Sequence, residues 1–247
     1  MTRILLAGES WISQSTHFKG FDSFTSTVFE KGADAFIAAA ASQGVTIEQL
    51  YAHDVPEKFP GTVEELAGYD AVILSDIGAN SFLLPPATWV HGRSMPNRLA
   101  MLTEYVRGGG GLMMAGGYLS FQGFQARANF ARTPLVDVLP VTLLDCDDRV
   151  EAPQGVRPVP EGNGPIAAAV GADAPVLLGY NKVIAKPEAT VHASVDGDVL
   201  IAGLEVGAGR SLVWTSDIGP HWCPTPFLDW QGFAPLVGAM LRWLARA

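Results

Sequence analysis

A short apolar run between two clusters of glycine constrains the fold of this chain more than any other stretch. It lies within residues 107–122 (RGGGGLMMAGGYLSFQ), and its apolar centre at 112–115 predicts a fully buried strand. The pair Gly116-Gly117 at the end of that strand permits positive φ and the close approach of a ligand or side chain. Because ligands of open α/β sheets bind at the carboxyl ends of the strands, this stretch also predicts where a ligand site lies.

The first half of the chain alternates apolar runs with helical patterns. Gly44 is a stop signal for the first helix, and Thr62 with Glu65 has the spacing of a capping box at the start of the second. Residues 9–27 are predicted to form a long polar and aromatic loop. The predicted strands are 3–7, 45–51, 70–74 and 112–115, and the predicted helices are 28–43, 62–67 and 97–106. This order predicts the α/β class, with a mostly parallel central sheet and right-handed crossovers.

The second half of the chain has a different texture. Residues 146–187 are rich in Pro, Gly and acidic residues, which indicates an insertion lying over the sheet, and a β-meander follows it. The predicted elements are a short helix at 133–139, strands at 141–144, 189–195, 199–205 and 211–215, and a closing amphipathic helix at 229–245. No repeat or linker interrupts the chain, so we expect one domain over residues 1–247, with an insertion at about 146–187.

Charge and composition exclude several classes of function. The chain has 247 residues, a formal net charge of -9 and no cluster of Lys or Arg, so nucleic acid and anionic membranes are poor partners. The amino-terminal apolar run is too short for a signal peptide, and no run approaches the ~18 residues of a membrane span. Cys146 and Cys223 are too few for a disulfide framework, so a cytoplasmic location is expected.

No cofactor is predicted from the glycine-rich segments. The segment after the first strand, Gly8-Glu9-Ser10, lacks the later glycines of a dinucleotide-binding fingerprint. The tract at 108–111 precedes a strand instead of opening a helix, so it is interpreted as a helix stop and tight turn and not as a phosphate loop. We therefore expect a small-molecule ligand and no cofactor.

Four predicted strands end in polar or glycine-rich groups. In a parallel sheet these ends converge on one cleft, although polar residues also follow strands simply because chains turn there. A further acidic cluster at 145–151 follows the fifth strand and lies where it can fold over the same edge. The candidate ligand-binding residues from these segments are Glu9, Ser10, Asp76, Asn80, Gly116, Gly117, Tyr118, Ser120, Asp148 and Arg149.

Asp217 and His221 are the candidate acid and base. Histidine titrates near neutral pH and a carboxylate can orient its ring, but a histidine beside tryptophan in a Pro-rich loop is often only a structural hydrogen-bonding residue. A metal site from these two residues and Cys223, with Asp147 or Asp148 contributing, is an alternative that no ligand-spacing motif supports. Cys223 as a nucleophile and Ser120 as an elbow nucleophile are two further alternatives.

Several aromatic residues fall in predicted loops. They either line a pocket or pack as a lid or an interface, and the enrichment of aromatics at interfaces favours self-association into a homo-oligomer. These residues are Trp11, Phe18, Phe21, Phe24 and Trp89.

Several motifs together resemble one known family. They are SDIGAN (75–80), GGGLMMAGGYLSFQG (109–123), DDRVE (147–151), LGYN (178–181) and SDIGPHWC (216–223). They resemble the putative glutamine amidotransferase family of the class I glutamine amidotransferase-like superfamily, which is related to the ThuA-like proteins. The resemblance implies a flavodoxin-like three-layer α/β sandwich with an added C-terminal β-region. It also adds Asn181 and Trp222 to the candidate ligand-binding residues.

The same resemblance raises a question about activity. Class I amidotransferases carry a cysteine in a G-x-C-x-G elbow and a late His-x-Glu, whereas here the elbow falls near Gly117 or Tyr118 and His221 is followed by Trp222 and Cys223. Three hypotheses follow. The first is an enzyme that uses Asp217 and His221 as acid and base, with the Gly116 and Gly117 amides as an anion cradle. The second is a non-catalytic small-molecule binder or assembly subunit, and the third, ranked last, is a glutaminase with a displaced nucleophile. The ligand expected is small and polar, and the ThuA-like relatives suggest a sugar-derived compound.

Overall fold

An eight-stranded sheet is the centre of the computed structural model, which describes residues 2–246. Within these residues the strands are β1 (Thr2–Gly8), β2 (Ser10–Lys19), β3 (Asp22–Lys31), β4 (Val45–Leu50), β5 (Ala71–Ser75), β6 (Gly111–Ala115), β7 (Val141–Leu143), β8 (Arg149–Val156), β9 (Val159–Pro160), β10 (Leu177–Asn181), β11 (Val183–Ala185), β12 (Thr190–Val195), β13 (Asp198–Val206) and β14 (Gly209–Trp214). The order in the sheet is β4-β1-β5-β6-β14-β13-β12-β9.

The helices lie on both faces of this sheet. They are α1 (Asp34–Ser42), α2 (Val55–Lys58), α3 (Val63–Leu66), α4 (Asn80–Leu83), α5 (Pro86–Trp89), α6 (Arg98–Arg107), α7 (Pro165–Val170), α8 (Thr225–Leu228) and α9 (Phe233–Ala245). Three short 3-10 turns follow β6, at Phe124–Ala126, Phe130–Arg132 and Pro134–Asp137. No helix within residues 2–246 has the length and apolarity needed to cross a membrane.

The five parallel strands have the flavodoxin-like order. Numbered among themselves along the chain, they lie in the order 2-1-3-4-5, because β4 pairs with one side of β1 and β5 with the other. The strands β13, β12 and β9 extend the sheet in antiparallel fashion beyond β14. The predicted α/β class, flavodoxin-like with a mostly parallel sheet and an added β-region, is confirmed.

Alternating residues of the central strands separate two hydrophobic cores. Ile4 and Leu6 of β1 face the core beneath α1, α7 and α9, whereas Leu5 and Ala7 face the core beneath α6. Because both faces of the sheet are covered, each central strand is a continuous apolar run, which is why the sequence predicted these strands well. The apolar face predicted for the closing helix is also buried: Phe233, Leu236, Val237, Met240, Leu241 and Leu244.

The segment predicted as a loop at 9–27 is instead a long β-hairpin. The strands β2 and β3 pair antiparallel over their whole length, and the two-residue turn Gly20-Phe21 joins them. β3 continues to Lys31, so the predicted helix at 28–43 begins only at Asp34. The prediction was wrong because Ser and Thr occupy both faces of these strands and hide the alternation that marks a half-buried strand.

The other predicted element boundaries differ less from those of the structure. The closing helix begins at Phe233 and not at residue 229, because α8 and a turn precede it. The predicted cap Thr62 accepts a hydrogen bond from the Glu65 amide at 3.2 Å, while the Glu65 carboxylate accepts from the Gly61 amide. Within the predicted insertion, β8 pairs with β10, β11 pairs with β7, and β9 joins the edge of the central sheet.

Gly116 provides a test of how tightly β6 and β14 come together. A Cβ at this position would lie far inside contact distance of the carbonyl oxygens of Thr215 and Ser216, which are fixed backbone atoms. We expect Gly116→Ala to lower the free energy of unfolding by more than about 3 kcal/mol, measured by urea denaturation. Gly61→Ala is the matched control, because its Cβ would have only a side-chain oxygen at 3.8 Å, and it should change stability by less than ~0.5 kcal/mol. Equal effects of the two substitutions would contradict this account.

Candidate functional site

A cleft of about 300 Å³ lies at the carboxyl ends of the parallel strands. Glu9 follows β1, Asp76 follows β5, Tyr118 follows β6, and Asp217 follows β14. The cleft is lined by Glu9, Trp11, Asp76, Tyr118, Asp217, Pro220 and His221. β1 and β5 flank the point where the strand order reverses, which is where sheets of this order bind ligands. The predicted convergence of the four strand ends on one hollow is therefore observed.

A buried pair of carboxyl groups forms the floor of the cleft. Glu9 and Asp217 are 2% and 4% exposed, and the two carboxyl groups lie close enough for each to change the pKa of the other. Burial, reinforced by the charge of Asp76, raises the pKa of Asp217 to about 7, against hydrogen bonds from the amides of Gly219 and Ile218. Burial and the charges of Asp217 and Asp76 raise the pKa of Glu9 well above its usual range. The pair therefore holds a proton at pH values where exposed carboxyls are ionised.

The Glu9 carboxyl group is packed tightly against its neighbours on the side away from the cleft opening. The Ser75 hydroxyl donates to its Oε2 at 2.6 Å. A Cβ on either Gly32 or Gly219 would collide with its Oε1, so the carboxyl group occupies a space that only glycine leaves open. Its own backbone has φ of +50°, a strained conformation for a side chain of this size. The fold thus orders this carboxyl group at an energetic cost, as functional sites commonly do.

Asp76 is the third carboxyl group of the cleft and also has positive φ, at +42°. Its amide donates to the Ser120 hydroxyl at 3.0 Å, and its Oδ1 accepts from the Leu119 amide at 2.6 Å. Burial raises the pKa of Asp76, although the Leu119 amide and nearby His221 oppose that rise. Gly117 lies directly against this carboxyl group and has φ of +143°, so the close approach predicted for the glycine pair is made by Asp76.

His221 lies at the mouth of the cleft, next to Asp217. Its Nδ1 is 3.9 Å from Asp217 Oδ2, which is beyond hydrogen-bonding distance, and nearly half of its side chain is exposed. The ring packs edge-on against Tyr118, with centroids 4.5 Å apart, and stacks on Trp222. His221 is therefore placed between the buried carboxyl pair and solvent.

One wall of the cleft is formed by Tyr118, which belongs to an ordered stack of aromatic and charged groups. The Arg149 guanidinium lies over the Tyr118 ring at 4.5 Å and pairs with Asp147. The Tyr118 hydroxyl donates to Glu151 Oε1 at 2.9 Å, and the buried Trp222 indole donates to Glu151 Oε2 at 3.0 Å. The sequence places Glu151 only in the acidic cluster at 145–151; its anchoring role depends on the β8–β10 pairing, which no local pattern predicts.

Two candidate residues hold this wall to the sheet and do not line the cleft. Asn181 accepts from the Gly117 amide at 3.0 Å and donates to Asp148 Oδ1 at 2.8 Å. The buried Asp148 carboxylate also accepts from the amides of Gln122 and Gly123. Burial raises the pKa of Asp148, while these donors oppose the rise. Both residues fix the loop that carries Tyr118.

The prediction that the Gly116 and Gly117 amides form an anion cradle was wrong. The Gly116 amide donates to the carbonyl oxygens of Trp214 and Ser216, and the Gly117 amide donates to Asn181. Two other candidates also lie outside the cleft lining. The Ser10 hydroxyl accepts from the Ala52 amide, and Asn80 is exposed at the start of α4.

The positions of the cysteines and the aromatic residues bear on three of the alternatives: the cysteine nucleophile, the metal site and the aromatic pocket lining. Cys223 is buried, and burial raises the pKa of its thiol well above the usual range, whereas Cys146 is exposed. Across residues 2–246 no three His, Cys, Asp or Glu side chains are arranged to hold a metal ion, so Asp217, His221 and Cys223 form no such group. Of the predicted pocket aromatics only Trp11 lines the cleft, and Phe18, Phe21, Phe24 and Trp89 are exposed elsewhere.

The fold has close counterparts among solved structures. Two cytoplasmic proteins of Salmonella typhimurium superpose with TM-scores of 0.92, at 41% identity over 98% of both chains and at 42% identity over 98% of this chain and 99% of the other. A ThuA-like protein of Bacteroides uniformis shares the fold at a TM-score of 0.54, with 12% identity over 98% of this chain and 91% of its own. No protein of curated function matches the chain.

These likenesses place the protein among the flavodoxin-like α/β sandwiches. The family model described as "Putative glutamine amidotransferase" matches residues 3–246, and the chain belongs to that family. The resemblance inferred from the sequence motifs is thereby confirmed.

The carboxyl pair has a consequence for stability that can be measured. The pKa of Asp217 is raised to about 7 in the folded protein, from an ordinary value of 3.8, so the folded state binds more protons than the unfolded state between about pH 4 and 7. This group should therefore make the free energy of unfolding fall by about 1.4 kcal/mol per pH unit as pH rises through that window. Asp217→Asn should reduce the slope of the protein by the contribution of this group, while buried Glu9 keeps its own contribution, measured by urea denaturation at pH 5, 6 and 7.

Asp229→Asn is the matched control, because Asp229 is exposed in the turn after α8. Its stability should follow the wild-type pH dependence. A wild-type slope that persists unchanged in Asp217→Asn would contradict the assignment of the raised pKa to this group.

Proposed function

We propose that the cleft binds a small, uncharged, polar metabolite of the sugar or sugar-derived class and transforms it by proton transfer. The observation that carries the proposal is the convergence of Glu9, Asp76 and Asp217 with His221 on one cleft at the reversal point of the sheet. Its volume of about 300 Å³ is at the small end of ligand pockets. Like the two cytoplasmic relatives, the protein is proposed to act in the cytoplasm.

The charges around the cleft select the class of ligand. Three carboxyl groups line it, and the nearby Arg149 is already paired with Asp147 and Glu151. An anionic ligand would face these carboxylates in a chain of net charge -9, which costs free energy. Hydroxyl groups, by contrast, donate well to carboxylates, and the rings of Trp11 and Tyr118 offer apolar surface to the ligand's carbon skeleton.

Asp217 and His221 are the proposed acid and base. A group with a pKa of about 7 is present in both protonation states near neutral pH, so Asp217 can take a proton from a ligand C–H or O–H and return it. The buried Glu9 carboxyl group lies beside Asp217 in the cleft and is proposed to position it. His221, half exposed and adjacent to Asp217, exchanges the proton with solvent.

Ligand binding tests the first part of the proposal. Thermal shift against a panel of neutral sugars and polyols, sugar acids, and glutamine should show stabilisation by neutral polyhydroxylated compounds and not by the acids. Asp217→Asn and His221→Ala should weaken that response, whereas Glu64→Gln, an exposed change on α3, should not. Stabilisation by the sugar acids alone would contradict the proposed ligand class.

Proton transfer is tested separately by proton NMR in D₂O with the compound that binds. A ligand C–H signal should disappear as solvent deuterium is incorporated, and Asp217→Asn should slow this exchange by about 10²–10⁴-fold. Binding with neither exchange nor any other turnover favours the alternative function, a non-catalytic small-molecule-binding or assembly subunit.

Glutaminase activity by a displaced cysteine is the least favoured function. Residues 116–120 are Gly-Gly-Tyr-Leu-Ser, and the Cys223 thiol is buried with a raised pKa, which lowers its fraction of reactive thiolate. We expect no glutamine-dependent ammonia release, and no effect of iodoacetamide. Ammonia release that is abolished by the alkylating reagent, and by Cys146→Ser or Cys223→Ala, would restore this function.

A further inference from the structure

The hairpin of residues 10–31, called the arm from here on, extends away from the central sheet. Its strands β2 and β3 are ten residues each, so the arm reaches roughly 30 Å. It forms a separate two-stranded sheet, and both strands are exposed along most of their length. A two-stranded hairpin alone in water is marginally stable at best. An arm of this length therefore gains stability if another surface covers it.

The arm exposes far more apolar surface than a monomer usually presents. Phe18 is 78% exposed, and Phe21 at the turn is fully exposed. At ~150–250 Å² per large side chain, the exposed apolar surface is on the order of 800 Å², about what each partner contributes to a standard interface. The side chains concerned are Trp11, Ile12, Phe18, Phe21, Phe24, Val28 and Phe29.

These side chains occur on both faces of the arm. The pairing of Ile12 with Phe29 and of His17 with Phe24 sets the register. Because side chains alternate between faces, Ile12, Phe18 and Phe29 share one face, and Trp11, Phe24 and Val28 share the other. A hairpin lying on its own domain would bury one face and keep the other polar. The arm instead exposes apolar side chains on both faces, so either face offers a contact surface to a second arm.

The edges of the arm are also unprotected. Each strand has one edge without a neighbouring strand, since the arm is a two-stranded sheet. Residues 10–31 contain no proline, and their charged residues lie near the ends, at Lys19, Asp22, Glu30 and Lys31. Exposed edges in monomers usually carry charges, proline or bulges that prevent strand addition. The central part of the arm has none of these features and is instead rich in Ser, Thr and aromatic residues.

We propose that the arm is the association surface between copies of this chain and packs against the arm of a second copy about a twofold axis. The charge distribution favours this occupant. The two lysines and two acidic residues of the arm balance, so the arm is neutral while the rest of the chain carries the net charge of -9. Two copies that meet through their arms bring together their neutral segments and keep the acidic bodies apart. A twofold contact is self-complementary, so each arm covers the other.

The arm is continuous with the wall of the cleft. Trp11 at its base lines the cleft, and the Gly32 amide at its end donates to the Glu9 carbonyl at 3.1 Å. Association through the arms would therefore hold the residues on either side of Glu9 in place. This proposal does not depend on the proposed function, because its test uses no ligand.

The mass of the purified chain in solution tests the proposal. Sedimentation equilibrium between about 1 and 100 μM should give a mass of at least twice the 26.2 kDa of one chain. The double substitution Phe18→Asp with Phe24→Asp changes one exposed residue on each face of the arm. We expect it to weaken association by on the order of a hundredfold or more, leaving a monomer with unchanged circular dichroism.

Trp89→Asp is the control for replacing an exposed aromatic residue by aspartate, since Trp89 is 73% exposed and lies outside the arm. It should keep the wild-type mass. Hydrogen exchange provides a second measurement: the outer-edge amides of the arm should be protected in the wild type and exchange fast in the double variant. A wild-type monomer at 100 μM with fast-exchanging arm amides would overturn the proposal, and so would a double variant with unchanged mass.

Discussion

The buried pairing of the Glu9 and Asp217 carboxyl groups is the interaction on which the organisation of the site depends. Two carboxyl groups at this depth cannot both ionise without a large desolvation cost, so the pair retains a proton. The pair joins the end of the first parallel strand to the end of the last one, across the reversal point of the sheet. The same two side chains thus carry the buried carboxyl groups of the cleft and lie at its place in the sheet.

Hydrogen bonds around the pair offset its desolvation cost. The close packing around the pair tolerates few substitutions. Gly32 and Gly219 leave room for the Glu9 carboxyl group, and the Ser75 hydroxyl and the Gly219 amide each donate to one member of the pair. The positive φ angles of Glu9 and Asp76 place both carboxyl groups toward the cleft. Strain in two adjacent strand ends is more easily explained by a functional site than by stability alone.

The arm and the cleft share a common base. Glu9 precedes the first residue of the arm and Gly32 follows its last, and the two are joined by a backbone hydrogen bond. Any force that orients the arm is therefore transmitted to the backbone of a cleft carboxyl group. This arrangement connects the proposed association surface with the proposed site through covalent chain and one hydrogen bond, without a long pathway between them.

The sequence by itself determined the central strands, the closing helix and the edge of the sheet where the site lies. These features follow from apolar runs and from polar residues placed directly after them, as at Asp76 and Asp217, and such patterns are local. Only the tertiary structure decided which groups meet there. The Glu9–Asp217 pairing, the use of the Gly117 amide by Asn181 and the anchoring of Tyr118 by Glu151 join residues more than 30 positions apart. The arm also escaped prediction, because its strands pair with each other and not with a core, so no apolar face marks them in the sequence.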